Sequence, residues 1–162
     1  MIFKSYEINQ KQKIVLQKNI FLLYGENYGL KKEIAHTIKS FFAKDDEKVE
    51  KISLLESDIL KNEENFNNLV FSNSLFNSKK IIFIYQSSDK IINQLKKIFE
   101  KISDDIFILL FADSLEKKSK LRNFFEMEEN LGCSACYLDE EKSLEIITKQ
   151  VLKKENILLS KE

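Results

Sequence analysis

The chain has 162 residues, 43% of them hydrophobic, which is enough for one domain with a substantial core. Its 26 Lys and Arg residues balance its 26 Asp and Glu residues, so the zero net charge excludes a global field that would attract nucleic acid or an anionic membrane. Two cysteines cannot build a disulfide scaffold and no apolar run has signal-peptide form or membrane-spanning length, so we expect a cytoplasmic protein with no membrane partner.

Five short apolar runs predict β-strands. In chain order they are residues 20–24, 49–55, 81–85, 106–112 and 133–138. Three of them, residues 20–24, 81–85 and 106–112, are apolar at nearly every position, which is typical of strands buried on both faces.

Apolar residues at spacings of three and four predict helices between these strands. The helix after the first strand carries Leu30, Ile34, Ile38, Phe41 and Phe42. We expect Ser57 to cap a segment that continues through Phe66, and Asp89 to cap a helix that carries Ile91, Ile92, Leu95, Ile98, Phe99 and Ile102. A further helix holds Leu121, Phe124 and Phe125, and a last one follows Asp139 with Leu144, Ile147 and Val151.

This alternation predicts an α/β fold in which helices cover both faces of a parallel sheet. Ligands of such sheets bind beyond the carboxyl ends of the strands. The informative residues are therefore those directly after each strand: 25–29, 86–89 and 113–114.

The turn after the first strand, residues 25–32 (GENYGLKK), stands where a phosphate-binding loop would stand. Aligned on Gly25 and Lys31, the G-x-x-x-x-G-K-[ST] pattern needs glycine where Leu30 sits and a hydroxyl where Lys32 sits. We call residues 25–32 the degenerate loop and expect it neither to bind nor to hydrolyse ATP. Gly25 and Gly29 then only permit a tight turn, and Lys31 and Lys32 are solvated.

No other side chains form a catalytic or metal-binding pattern, so we expect no catalytic activity, metal or cofactor. Asp113 lies where a magnesium-positioning acid would lie, but its spacing from Glu116 favours a helix cap. Cys133 and Cys136 have CxxC spacing without further ligands, and are interpreted as small buried residues that point to opposite faces of a strand. His36 has no catalytic partner at a known spacing and is interpreted as structural.

Three stretches together carry a family resemblance. They are residues 21–26 with the degenerate loop, the Ser74-Leu75-Phe76 turn before residues 79–82, and residues 113–121. In this order and spacing they resemble the delta subunit of the bacterial replicative clamp loader, the component of DNA polymerase III holoenzyme that opens the sliding clamp.

The resemblance implies a RecA-like AAA+ core that has lost its ATPase activity. It implies that Leu75 and Phe76, here called the wedge pair, bind the sliding clamp, with Ser74 and Asn73 beside them. Some members have an apolar residue where this chain has Asn73. Partners implied are the clamp, other clamp-loader subunits, and DNA through the assembled complex.

The resemblance also divides the chain. Residues 1–139 correspond to the AAA+ core, and residues 140–162 to the start of a truncated helical lid. The family is about twice as long and continues into a helical collar that joins the other subunits, so we expect this chain to be a fragment or a reduced relative.

Two other function classes remain open from the sequence. A nucleotide-binding P-loop ATPase would have to bind nucleotide despite Leu30 and Lys32. A phosphorylatable receiver-like domain has the same alternation of elements, but would need an acidic cluster after the first strand, where only Glu26 stands. It would also need an acceptor aspartate after the third strand, where Gln86, Ser87 and Ser88 follow.

Overall fold

The computed structural model describes residues 1–43, 49–72 and 79–138. The wedge pair, Asn73 and Ser74 lie outside the described residues, as do the last predicted helix and the expected lid at 140–162. None of the described helices is long and apolar enough to cross a membrane.

Strands and helices alternate along the described chain. The strands are β1 (Ile20–Tyr24), β2 (Val49–Leu55), β3 (Lys79–Tyr85), β4 (Ile106–Ala112) and β5 (Gly132–Ala135). The α-helices are α1 (Gln12–Leu16), α2 (Tyr28–Ala43), α3 (Glu56–Lys61), α4 (Glu63–Phe71), α5 (Ile92–Ile98) and α6 (Lys120–Met127). Short 3-10 helices span Ser5–Glu7 and Asp89–Ile91.

The five strands form one sheet in the order β2-β3-β4-β1-β5, and every pairing is parallel. β1 lies between β4 and β5, with Leu22 opposite Leu110 on one side and opposite Cys133 on the other. Because β1 has a strand on each side and a helical layer on each face, all five of its residues are buried. The predicted α/β fold is therefore confirmed.

Two cores lie on opposite faces of the sheet. On one face, Phe21 and Leu23 of β1 pack with Ile34 and Ile38 of α2, and the N-terminal segment adds Phe3, Ile8 and Val15. On the other, the alternate strand residues pack against α3 to α6 through Ile59, Phe66, Val70, Leu95, Ile98, Leu121 and Phe125. Alternation of strand side chains thus fills both cores.

The predicted cap at Ser57 is wrong. Ser57 lies within α3, and the segment through Phe66 is two helices, broken at Asn62. The Asn62 side chain accepts a hydrogen bond from the Asn65 amide at 3.0 Å and so caps α4. Asparagine competes for backbone hydrogen bonds in this way, which favours it at caps over helix interiors.

The predicted caps at Asp89 and Asp113 are also wrong. Ser88 caps the 3-10 helix at Asp89–Ile91, whereas the Asp89 carboxylate caps α6, a helix that begins about 30 positions later. It accepts hydrogen bonds from the Leu121 amide at 2.8 Å, the Lys120 amide at 3.1 Å and the Ser119 hydroxyl at 2.7 Å. Since α6 begins at Lys120, Asp113 and Glu116 lie too far upstream to cap it.

Smaller differences concern the ends of elements. β3 begins two residues earlier than predicted, β5 spans residues 132–135 instead of 133–138, and α5 ends at Ile98 although Ile102 still packs on the core. Cys133 and Cys136 are buried in opposite cores, as predicted. Burial raises the pKa of each thiol to about 12. His36 is an exposed residue of α2.

Candidate functional site

The neighbouring strands β1 and β4 send the chain to opposite faces of the sheet. From β1 it continues into α2, which packs in the core with Phe21 and Leu23, whereas from β4 it continues to α6, which packs in the other core. Such a switch point opens a crevice at the carboxyl ends of the two strands, where α/β proteins bind ligands. Gly25 and Asp113 flank this crevice.

The first turn of the degenerate loop depends on glycine. Gly25 has a φ of 125°, a conformation that side chains rarely permit, and its amide donates to the Asp113 carbonyl oxygen at 3.2 Å. A Cβ at this position would overlap the carbonyl oxygen of Cys136. The predicted tight turn is therefore present, and it packs against the backbone of Cys136.

Four further amides of the degenerate loop have partners within the protein. The Asn27 amide donates to the Cys136 carbonyl oxygen at 2.9 Å, and the Tyr28 amide to that of Glu26 at 3.0 Å. The Leu30 amide donates to Asn27 Oδ1 at 2.9 Å, and the Lys31 amide to the Asn27 carbonyl oxygen at 3.1 Å. A phosphate loop needs such amides free to point at phosphate oxygens. These four donors are already satisfied.

Lys31 is buried in the crevice, not solvated as predicted, with 2% of its surface exposed. Its Nζ donates to the carbonyl oxygens of Gly25 at 2.7 Å and of Ala112 at 2.9 Å, and lies 4.2 Å from the Tyr28 ring centroid. Burial lowers the pKa of Lys31. Its ammonium therefore joins the ends of β1 and β4, whereas the lysine of a phosphate-binding loop reaches phosphate. Lys32 is exposed, as predicted.

Asp113 is used by a tyrosine of the same loop. The Tyr28 hydroxyl donates to Asp113 Oδ1 at 2.8 Å, and this hydrogen bond raises the pKa of Tyr28. The carboxylate that could position a magnesium ion is thus bonded to a side chain of the chain itself. Among the described residues, no group of three or more His, Cys, Asp or Glu side chains could hold a metal ion.

A groove of about 410 Å³ runs from this crevice along the carboxyl ends of β3 and β4. Four aromatic residues line it, Tyr28, Phe83, Tyr85 and Phe111, with the rings of Tyr85 and Phe111 stacked at 4.8 Å. Its charged lining residues are Lys31, Lys32 and Asp113.

The amino end of β3 lies at the end of the sheet opposite the crevice. Residues 73–78, which include the wedge pair, connect α4 to this end. Phe71 at the end of α4 is 43% exposed, whereas Lys80 is 4% exposed and donates three hydrogen bonds at the end of α4. Neither residue was predicted as functional from the sequence, although the position of Phe71 outside the apolar stripe of Phe66 and Val70 is a sequence signal for an exposed apolar side chain.

Comparison with known proteins matches this chain to one family. The model of the family described as "DNA polymerase III, delta subunit" matches residues 21–141. A probable DNA polymerase III subunit delta from Rickettsia prowazekii is 31% identical over 144 residues, which cover 87% of this chain and 41% of that protein. The chain therefore spans about two fifths of the length of this curated relative.

Two solved structures show weaker likeness. A DNA polymerase III gamma subunit-related protein from Thermotoga maritima matches 91% of this chain and 52% of its own, with 13% identity and a TM-score of 0.48. Rif2, solved in complex with the C-terminal domain of Rap1, matches 91% of this chain and 57% of its own, with 16% identity and a TM-score of 0.43. TM-scores below 0.5 add nothing to the fold described above.

Proposed function

The chain belongs to the DNA polymerase III delta-subunit family, and from this premise we propose that it acts in DNA replication by binding and opening the sliding clamp. The wedge pair, Leu75 and Phe76, makes the contact and inserts into an apolar pocket on the ring. Asn73 and Ser74 lie beside the pair and form the polar margin of the contact. A central pair of large apolar side chains inside a polar margin is the usual composition of an interface hot spot.

The observation that carries this proposal is the position of the wedge pair in the sequence, between α4 and β3. Residues 73–78 connect the end of α4, at Phe71, with the start of β3, at Lys79. Neither helical nor strand periodicity requires two adjacent large apolar residues between these two elements. Phe71 at the end of α4 is 43% exposed and lies two positions before Asn73 in the sequence. We propose that it contributes a further apolar side chain to the contact, in place of the one that some family members have at the position of Asn73.

The proposed function needs no nucleotide, cofactor or metal. Support comes from the degenerate loop, where Lys31 is bound to two backbone carbonyl oxygens and four loop amides have partners inside the protein. The alternative function, an active P-loop ATPase, would require Lys31 to leave both carbonyl oxygens and Leu30 to admit phosphate. We therefore propose that the chain binds the clamp without hydrolysing ATP.

The wider assembly is part of the same proposal. Residues 1–139 form the AAA+ core and residues 140–162 begin the lid, as the family resemblance implies. Other clamp-loader subunits are partners in the full-length family, and DNA is contacted through the assembled complex. The place of action is the cytoplasm.

An equilibrium titration against the purified sliding clamp tests the proposal. Leu75→Ala combined with Phe76→Ala should weaken binding by about 2–4 kcal/mol while leaving the Tm nearly unchanged, because interface anchors contribute little to the fold. Met127→Ala is the matched control, since Met127 is 83% exposed at the end of α6, which leads into β5, three strand positions from β3 in the sheet. If the double variant folds and binds as tightly as the parent chain, the wedge proposal is wrong. A loss of about 2–5 kcal/mol in stability would instead place the pair in the core.

A further inference from the structure

We propose that Lys80 is a positioning residue for clamp binding, because it holds together the two ends of the segment that carries the wedge pair. The inference rests on the proposed function and extends it to a residue that need not touch the clamp. It is carried by the contacts of Lys80, Leu69, Ser72 and Glu50, all of which the structure describes.

The ammonium of Lys80 is bonded to the end of α4. Lys80 Nζ donates to the Leu69 carbonyl oxygen at 2.6 Å, to the Ser72 carbonyl oxygen at 2.7 Å and to Ser72 Oγ at 3.2 Å. An ammonium has three donors, so these three oxygens account for all of them. The carbonyls at the end of a helix have no partner within it, and a cation there also complements the helix dipole.

The backbone of Lys80 is equally fixed, but in the sheet. Its amide donates to the Asp105 carbonyl oxygen at 2.8 Å, and the residue pairs with Glu50 of β2 and Ile106 of β4. Glu50 Oε2 lies 3.9 Å from Lys80 Nζ and has no hydrogen-bond partner among the described residues. Lys80 thus forms a long ion pair with this carboxylate and ties the sheet to the helix.

This arrangement defines where residues 73–78 leave α4 and where they enter β3. Ser72, the residue before the segment, is bound by the side chain of Lys80. Lys79, the residue after the segment, directly precedes Lys80 in β3. Holding both ends of a short segment removes much of the conformational freedom that would otherwise be lost on binding. Lys80 therefore increases clamp affinity by restraining the described residues on either side of the segment, Ser72 and Lys79.

The test compares Lys80→Met with Lys97→Met. Lys97 forms an ion pair of 2.9 Å with Glu63 at the opposite end of the same helix, so its removal perturbs α4 without touching the base of the segment. Two quantities are measured at a temperature well below the Tm. They are the amide hydrogen exchange of residues 69–79 in the free chain and the affinity for the purified sliding clamp. Lys80→Met should speed exchange in this segment and weaken binding about tenfold. Lys97→Met should change neither.

A double-mutant cycle distinguishes positioning from a general loss of stability. If Lys80 acts through the wedge pair, the loss from Leu75→Ala with Phe76→Ala should be smaller in the Lys80→Met background than in the parent chain. Additive losses, or unchanged exchange of residues 69–79, would overturn the inference while leaving the proposed function intact. If the double alanine variant loses no affinity in the parent background, the proposed function fails and the inference fails with it.

A milder variant covers the case in which Lys80→Met does not fold. Ser72→Ala removes one of the three acceptors of Lys80 Nζ and leaves the cation, the two carbonyl oxygens and the sheet pairing in place. It also removes the hydrogen bond of 3.3 Å that Ser72 Oγ donates to the Leu69 carbonyl oxygen. It should speed exchange in residues 69–79 and weaken clamp binding about threefold, since one hydrogen bond of three is lost. Exchange and affinity equal to those of the parent chain would overturn the inference.

Discussion

Replacing Lys31 should destabilise the fold and leave nucleotide affinity where it was. Lys31→Met keeps the length of the side chain but removes the ammonium that joins Gly25 and Ala112. The two carbonyl oxygens would then lose their donor at the end of the buried crevice. In an active P-loop protein the same change would remove a phosphate ligand, so the two functions predict different results.

The expected magnitude follows from the contacts of the ammonium. Each hydrogen bond from a charged donor contributes about 1.5–3 kcal/mol, so the two bonds together contribute about 3–6 kcal/mol. Burying the charge costs several kcal/mol, which offsets much of this gain. A net loss of about 2 kcal/mol remains for Lys31→Met, and in a chain of this size it corresponds to a fall in Tm of roughly 4–8 °C.

Denaturant and thermal unfolding measure the loss, and a titration with ATP and Mg²⁺ measures nucleotide affinity. Lys32→Met is the matched control: Lys32 is the exposed neighbour of Lys31, so its replacement should change stability by less than about 0.5 kcal/mol. Neither variant nor the parent chain should bind ATP measurably. The reasoning would be refuted if the parent chain bound ATP with micromolar affinity and Lys31→Met lost that affinity at unchanged Tm.

Three further predictions concern other parts of the molecule. Asp89→Ala removes a carboxylate that accepts three hydrogen bonds at the start of α6, while the Ser119 N-cap remains, and should cost about 1 kcal/mol of stability. The hydrogen bond from the Leu121 amide holds the pKa of Asp89 below its ordinary 3.8. The stabilisation by Asp89 is therefore present at higher pH and is lost as the pH falls through the lowered pKa. The variant lacks this term, so its stability should fall less steeply with acid than that of the parent chain. Phe71→Ala should weaken clamp binding by about 1–2 kcal/mol with little change in Tm, and an unchanged clamp affinity would remove Phe71 from the proposed contact. Cys133 and Cys136, whose thiol pKa values burial raises to about 12, should react with a thiol reagent at pH 8 only as the chain unfolds, and rapid labelling of the folded chain would contradict the burial described here.

The strands could be predicted because their signal is local. Continuous apolar runs at β1 and β4 indicate burial on both faces, and burial on both faces favours a parallel sheet. The order of the strands could not be predicted in the same way. It depends on which crossover passes over which strand, and no single run of residues carries that information.

The side chains that were misjudged act over long distances in the sequence. Lys31 stands in the first turn of a helix, where lysines are usually solvated, and its partner Ala112 lies 81 positions away. Asp89 directly precedes a helical pattern, yet the helix that it caps begins at Lys120. Asn62 is different, because an asparagine inside a predicted helix is a local signal for a break.

Ring opening in the absence of nucleotide tests the central claim most directly. Two fluorophores placed across one interface of the sliding clamp report its opening as a loss of energy transfer when this chain is added. The proposed function predicts a saturable loss with no nucleotide present, and none when Leu75→Ala and Phe76→Ala are combined. A ring that stays closed with the parent chain, opens only with ATP, or opens equally with the double variant would contradict it.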